Sequence, residues 1–474
     1  MLFQFNNSYR NLPSKLFEDC LPTAVAKPHL VIFNEKLAKD LGLVFNDIST
    51  DEMANFLSGN KKIDGAMPIA QAYAGHQFGH FNMLGDGRAI LLGEHITPQN
   101  KRFDIQLKGS GETPYSRRGD GRATLSSMLR EYLISEAMFA LHIPTTRSLA
   151  VVATGEEVHR EYTHEGAVLT RIANSHIRVG TFEYVRRFTD VDTFKIFTNY
   201  TIERHYPHLL NSENYALNFL KEVMEKQIDL IVDWMRVGFI HGVMNTDNMS
   251  VCGESIDFGP CAFMNTYHPQ TKFSSIDHQG RYAFENQAAI AKWNLSRFAE
   301  TLLVLIDSNT NKAIELAQGV LNTFNEIFDT KWLQMMRHKL GLIDEKEGDE
   351  KIILDLLEWM QVNNADYTNT FVALQNLDNV KEKIYQSSTF ESWYHTWQKR
   401  TNSSSFEIMK KHNPFVIPRN QMVEKALFSA AHQNDLSLFN ELLEVTSSPY
   451  LYDNTLSKFQ IAENDNGYKT YCGT

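Results

Sequence analysis

One stretch constrains this chain more than any other: HGVMNTDNMSVCGESIDFGP, residues 241–260. It sets His241, then Asn248, then Asp257-Phe258-Gly259 in the spacing H-x6-N-x8-DFG. Directly before it, EKQIDLIVDWMRVGFIHG repeats Ile228, Ile231, Val232 and Met235 at helical spacing. The pattern predicts an amphipathic helix followed by two loops, each presenting an oxygen ligand. An Asn amide oxygen and an Asp carboxylate are hard donors suited to Mg²⁺ or Mn²⁺ beside phosphates. A chance loop asparagine and turn aspartate would share the residue types, but not the order behind a helix.

In kinase-like sites the same frame carries H-G-D or H-R-D, and its Asp receives the proton of the substrate hydroxyl. Here that slot holds Val243. Such sites also need a strand Lys on the phosphates, oriented by a helix Glu. FDIQLKGSG (103–111) reads as a strand ending at Lys108. TLSSMLREYLISEAMFALHIP (124–144) reads as a helix with Leu125, Met128, Leu129 and Tyr132 on one face, and it carries Glu131. Alone, the pair is a surface Lys and a solvated Glu. With Asn248 and Asp257 downstream in the right order, the functional reading is favoured.

Glycine is dense over AQAYAGHQFGHFNMLGDGRAILLGE (70–94). Gly85-Asp86-Gly87 reads as a tight turn into a strand, or as backbone that approaches phosphates closely. Arg88 follows, where small residues would be usual. A second loop, GSGETPYSRRGDGR (109–122), sets Arg117, Arg118, Asp120, Gly121 and Arg122 between the Lys strand and the Glu helix. Arg171 and Arg178 are seven apart; they face opposite sides of an unbroken strand, but converge on one anion across a strand–loop turn. His76 and His80 in HQFGH lack the Glu of an HExxH zinc site. SLAVVATGEEV and GAVLTRIA read as a strand pair, and from about residue 190 the period is mostly helical. TNSSS (401–405) reads as a loop, and ENDNGYKTYCGT at the end as a polar, mobile tail.

The 474 residues are 43% hydrophobic and 22% charged, ordinary for a globular chain with a sizeable core. A balance of 46 basic against 57 acidic residues, net −11, argues against a nucleic-acid binder. Four scattered cysteines give neither a disulfide framework nor a zinc motif. The opening residues lack a signal-peptide pattern, and no apolar run is long enough for a membrane helix. A cytoplasmic, monomeric protein with no membrane partner is expected.

Taken together, YAGHQFGHFNMLGDGRAILLGE, DIQLKGSGETPYSRRGDGRATLSSMLREYL, LTRIANSHIRVGTFEY, the 241–260 stretch and DHQGRYAFENQ resemble the selenoprotein O family of kinase-like protein adenylyltransferases. The resemblance implies an α+β, protein-kinase-like bilobal fold. Its parts would be an N-terminal extension (1–65), a nucleotide-binding β-rich lobe (66–190), a helical lobe with the catalytic loops (191–330) and a helical C-terminal extension (331–474). It implies a flipped ATP whose α-phosphate meets a Ser, Thr or Tyr hydroxyl of a protein or of the enzyme itself, with UTP as an alternative co-substrate. Lys108 and Glu131 would be the catalytic ion pair, and Asp247 the base replacing the one lost at Val243. Asn248 and Asp257 would hold Mg²⁺ or Mn²⁺. Gly85, Gly87, Arg88, Lys108, Asp120, Gly121, Arg171, Arg178 and Asp257 would contact the nucleotide. The resemblance implies a Cys or selenocysteine third from the C-terminus, where Cys472 stands, which some bacterial relatives pair with a Cys upstream of DHQGR; TKFSSIDHQGR has none. Replacing Cys472 by Ser is therefore expected to leave activity unchanged. Two other readings stay open: an orthodox kinase with a displaced base, against which Val243 argues, and an inactive pseudokinase scaffold, against which the retained Lys108, Glu131, Asn248 and Asp257 argue.

Overall fold

In a computed structural model, residues 2–45, 47–375, 383–465 and 467–471 are described. Cys472 lies outside them. The first half is organised by an antiparallel sheet. Its strands are β1 (Phe17–Asp19), β2 (His29–Phe33), β3 (Ile69–Gln71), β6 (Ala89–Ile96), β7 (Arg102–Lys108), β8 (Ala123–Thr124), β9 (Arg147–His159) and β10 (Thr163–Ala173), in the order β1-β3-β6-β7-β10-β9-β2 with β8 on β10. A separate hairpin, β4 (Ala74–Gln77) and β5 (His80–Met83), precedes β6. The Gly85–Gly87 turn therefore joins that hairpin to the sheet and is not itself a hairpin turn of the sheet.

Both faces of the sheet are covered, which is why β6, β9 and β10 are apolar at successive positions and β7 is buried even where it alternates with Asp104, Gln106 and Lys108. On one face, α1 (Glu35–Leu41) and α2 (Thr50–Ser58) bury Leu37, Leu41, Ala54 and Leu57 against Ile105, Leu107, Val152 and Val168. On the other lies α3 (Leu125–Ala140), started by Thr124, whose side chain accepts from Ser127 N. Its Leu125, Met128, Leu129 and Tyr132 are buried as the spacing predicts. Residues 1–65 gave no legible element in the sequence. They supply both edge strands and the helices of one face, in pieces too short for periodicity to register.

The second half is mostly helical. It includes α4 (Val179–Phe188), α5 (Val191–His205), α6 (Tyr215–Arg236), α7 (Gln287–Ile306) and eight further helices between Thr310 and Thr446 among the described residues. Helix α6 buries Ile228, Ile231, Val232 and Met235, as expected from their spacing. No helix among the described residues is long and apolar enough to cross a membrane.

Two expectations fail. TNSSS is not a loop throughout: Asn402 caps a helix over Ser403–His412, accepting from Ser404 N. Serines read as loop formers there supply the helix's first turn, because they cap as readily as they break. Within the polar tail, residues 467–471 are not loose. Thr470 pairs with Ser274 as a parallel bridge, its N–H donates to Phe273 O at 2.9 Å, and its hydroxyl donates to Pro260 O at 2.6 Å. Tyr468 packs on Phe273 and donates to Glu424 at 2.7 Å. Backbone pairing needs no apolar side chains, so composition gave no sign of it.

Candidate active site

The 241–260 stretch is a loop closed at its base by a two-residue antiparallel pair, Phe239-Ile240 against Ala262-Phe263. His241 joins its two arms. Its Nε2–H donates to Ile256 O at 2.9 Å, its Nδ1 accepts from Val243 N at 3.4 Å, and the ring stacks on Trp234. Burial lowers its pKa, which keeps the ring neutral and that tautomer in place. Val243 is buried and contributes backbone only: Asn248 Nδ2 donates to Val243 O at 3.0 Å. The loop thus keeps its shape without a carboxylate at position 243.

Asp257 sits at φ +66°, a left-handed conformation that Asp tolerates better than most residues. There its Oδ1 accepts from Lys108 Nζ and from Arg171 Nη2, each at 2.6 Å. Lys108, at the end of β7, also donates to Glu131 Oε2 at 2.6 Å. Arg171, on β10, holds Glu131 Oε1 through Nε at 2.8 Å and also through Nη2. Two cations and two carboxylates thus form one closed, mutually neutral group. Burial opposes ionisation of Asp257, but Lys108 and then Arg171 outweigh it and hold the carboxyl well below its usual range. Burial lowers the Lys108 pKa, with Arg171 acting in the same direction.

Arg178 lies past the strand–loop turn, at the N-cap of α4, and both arginines are near enough to Asp257 to lower its pKa. It is buried, stacks its guanidinium 4.3 Å over Tyr73, and donates to His176 O and Asp247 O, each at 3.1 Å. Its charge helps to depress Asp257. Asp247 itself is buried; burial pushes its carboxyl up to about 6, and its Oδ1 has no hydrogen-bond partner among the described residues.

The β4–β5 hairpin covers that carboxylate. His76 N donates to Thr246 Oγ1 at 2.7 Å and Phe78 N to Asn245 Oδ1 at 3.1 Å, so the strand is stitched to the loop. A Cβ on Gly75 would lie 2.9 Å from Asp247 Cβ and closer still to Oδ1. Glycine at 75 is what lets the hairpin and Asp247 coexist.

The glycine-rich turn is packed rather than open. Gly85 has φ +84°, and a Cβ there would run into the ring of Tyr115. Asp86 is buried beneath the turn, accepts from Gln71 N at 3.1 Å, and is pushed up to about 6 by burial. Gly87 takes Ser116 Oγ on its carbonyl. Arg88 lies near enough to Lys108 to lower its pKa. Asp120 is not brought to this group: it pairs with Arg160 at 2.8 and 3.0 Å, and Gly121 (φ +64°) crosses closely over Gly111. The sequence singles out neither Tyr73 under Arg178, nor Gln106, which accepts from Arg171 Nη1 at 3.3 Å and donates to Asp86 Oδ2 at 3.4 Å, nor the 2.5 Å contact of His76 Nδ1 with Glu183 Oε1. Only the glycine spacing in 70–94 hinted that this segment runs against other backbone.

The model of the family described as protein adenylyltransferase SelO matches residues 1–447. A protein nucleotidyltransferase YdiU of Pelagibacter ubique is 53% identical over 480 aligned positions, covering 100% of this chain and 99% of the relative. Those of Nitrosococcus oceani and Brevibacillus brevis are each 52% identical, with 100% of this chain and 97% and 98% of the relatives covered.

Proposed function

Since the chain belongs to the SelO family and is a protein nucleotidyltransferase with ATP as co-substrate, we propose that it transfers AMP to protein hydroxyls from a site centred on Lys108, Asp247 and Asp257. The observation that carries this reading is the placement of Asp247. It is a buried carboxylate on the loop that lacks one at Val243, and its own carbonyl is held by Arg178. The Ser, Thr or Tyr oxygen attacks the α-phosphorus, its proton passes to Asp247, and the bond to the β-phosphate oxygen breaks to release pyrophosphate. Lys108, oriented by Glu131, and Arg171 and Arg178 hold the phosphates; Gly85, Gly87 and Arg88 border them. UTP would serve if the base pocket admits uracil. Asp120 and Gly121, on the neighbouring loop, would add further nucleotide contacts.

Asn248 Oδ1 and Asp257 Oδ2 make no hydrogen bond among the described residues, and both are the oxygen donors that Mg²⁺ or Mn²⁺ prefers. These residues would hold the ion, which when bound offsets phosphate charge.

We assign the kinase-like bilobal arrangement to residues 66–190 and 191–330, with 1–65 and 331–474 as extensions. The change from sheet to helices supports the boundary near 190, while β1 and β2 tie residues 1–65 into the same sheet. Cysteines 20, 252 and 261 are free, in keeping with a reducing, cytoplasmic setting.

With ATP labelled separately on the α- and γ-phosphates, α-label should appear on protein, with the mass gain of AMP. Incorporation of γ-label alone, with the mass of a phosphate, would restore the kinase reading. Gly75→Ala should lower transfer about tenfold at unchanged nucleotide affinity, because it displaces a carboxylate whose position matters at the ångström scale. A wild-type rate for this variant, measured by α-label transfer, would remove the hairpin from the site.

A further inference from the structure

Around the hairpin, rings and guanidinium groups form a continuous strip. Arg281 lies 4.8 Å and Arg297 5.2 Å from the Trp293 ring centre. Trp293 meets His76 edge-on at 5.5 Å, and His76 meets Phe81 edge-on at 5.4 Å. Arg187, exposed at the end of α4, lies 4.3 Å over Phe81. Three elements contribute: the hairpin, α4 and α7, with Arg281 from the segment that follows the metal loop.

This strip is tied to the loop carrying Asp247 at two points. His76 Nδ1 lies 2.5 Å from Glu183 Oε1, while Thr246 Oγ1 donates to Glu183 Oε2 at 2.6 Å, and Thr246 precedes Asp247. Tyr282, next to Arg281, donates to Asn245 Oδ1 at 2.6 Å. Arg297 is paired with Glu300 at 2.6 Å. Among the described residues no carboxylate forms an ion pair with Arg187 or Arg281. Stacking fixes a guanidinium without neutralising it, so its donors remain available to an anion. In a chain of net charge −11, two stacked arginines without a carboxylate partner, on a strip tied to the loop of Asp247, are suited to meet an acidic ligand.

We propose that this strip is the docking surface for the polypeptide being modified, and that it selects acidic segments flanking the target hydroxyl. Carboxylates of the segment would meet Arg187 and Arg281, and its apolar and aromatic side chains would lie against Phe81 and Trp293. The proposal rests on Asp247 being the base, since the strip matters to the reaction only if the hydroxyl is activated there.

The test uses two fluorescein-labelled peptides of equal length, each with a central Tyr, one flanked by Glu and the other by Lys. Binding to the full-length protein is read by anisotropy, without turnover. The acidic peptide should bind about tenfold tighter at low salt and lose that advantage at high salt. Arg187→Glu with Arg281→Glu should abolish or invert the preference, and the neutral pair Arg187→Gln with Arg281→Gln should remove most of it. Nucleotide affinity should be unchanged in both. Equal affinity of the wild type for the two peptides overturns the proposal, as does a preference that survives both double variants. An oligothymidylate that binds tighter than the acidic peptide also overturns it, in favour of a nucleic-acid surface. Failure of the base assignment shows separately, as AMP transfer by Asp247→Ala at the wild-type rate.

Discussion

Asp257→Ala should reduce AMP transfer by about 10³-fold, the scale for losing a preorganised electrostatic group from a site of developing charge. The variant loses more than a ligand oxygen. Asp257 Oδ1 is the shared acceptor of Lys108 and Arg171, so without it two cations face the single carboxylate of Glu131. Breaking a fully buried ion pair costs ~3–5 kcal/mol. Asp257 keeps 27% of its side chain exposed, so the loss of stability should fall below that range. Asp257→Asn separates the two effects: it keeps the shape and removes the charge. Transfer assays with thermal unfolding of both variants check the expectation. Full activity of Asp257→Ala at saturating metal would place the metal site elsewhere.

Asp247→Ala should lose ~10²–10⁴ in rate, the usual worth of a positioned general base. Nucleotide affinity should be retained, because Lys108, Arg171 and Arg178 are unaltered and Arg178 bonds the backbone of residue 247 rather than its side chain. Restoring a carboxylate by Val243→Asp should not produce γ-phosphoryl transfer if the nucleotide is flipped. It should also destabilise the loop, since Val243 is 5% exposed and a buried charge there would lack a partner. Label and mass analysis of both variants beside the wild type decides the matter. A Val243→Asp protein that phosphorylates, or an Asp247→Ala protein at the wild-type rate, would place the base on the wrong residue.

The parts legible in the sequence are those set by period and spacing. Lys108 ends a strand whose alternation is visible, and Glu131 lies on a helix whose apolar face is visible; the structure joins them at 2.6 Å. His241, Asn248 and Asp257 lie within one short stretch, where spacing alone restricts the geometry. What stayed hidden depends on contacts between distant segments. Gly75 against Asp247, Tyr115 under Gly85 and Thr470 along Ser274 each join residues far apart in the chain, and no local pattern encodes a partner that far away. Asp120 shows both sides. Its glycine-rich, basic surroundings are visible in the sequence, but its ion pair with Arg160, forty residues on, is not.

The closed group of Lys108, Arg171, Glu131 and Asp257 has a consequence for how a polyphosphate enters. In most anion sites the cations face solvent and carry mobile counterions, whose release makes binding fall steeply with ionic strength. Here the counterions of Lys108 and Arg171 are the protein's own carboxylates, fixed at contact distance and largely shielded from bulk salt. On the proposed site, an arriving phosphate would exchange with Asp257 rather than with dissolved chloride. A group of this kind would work as an internal ion exchanger, with nucleotide affinity set by that exchange more than by the salinity of the surroundings.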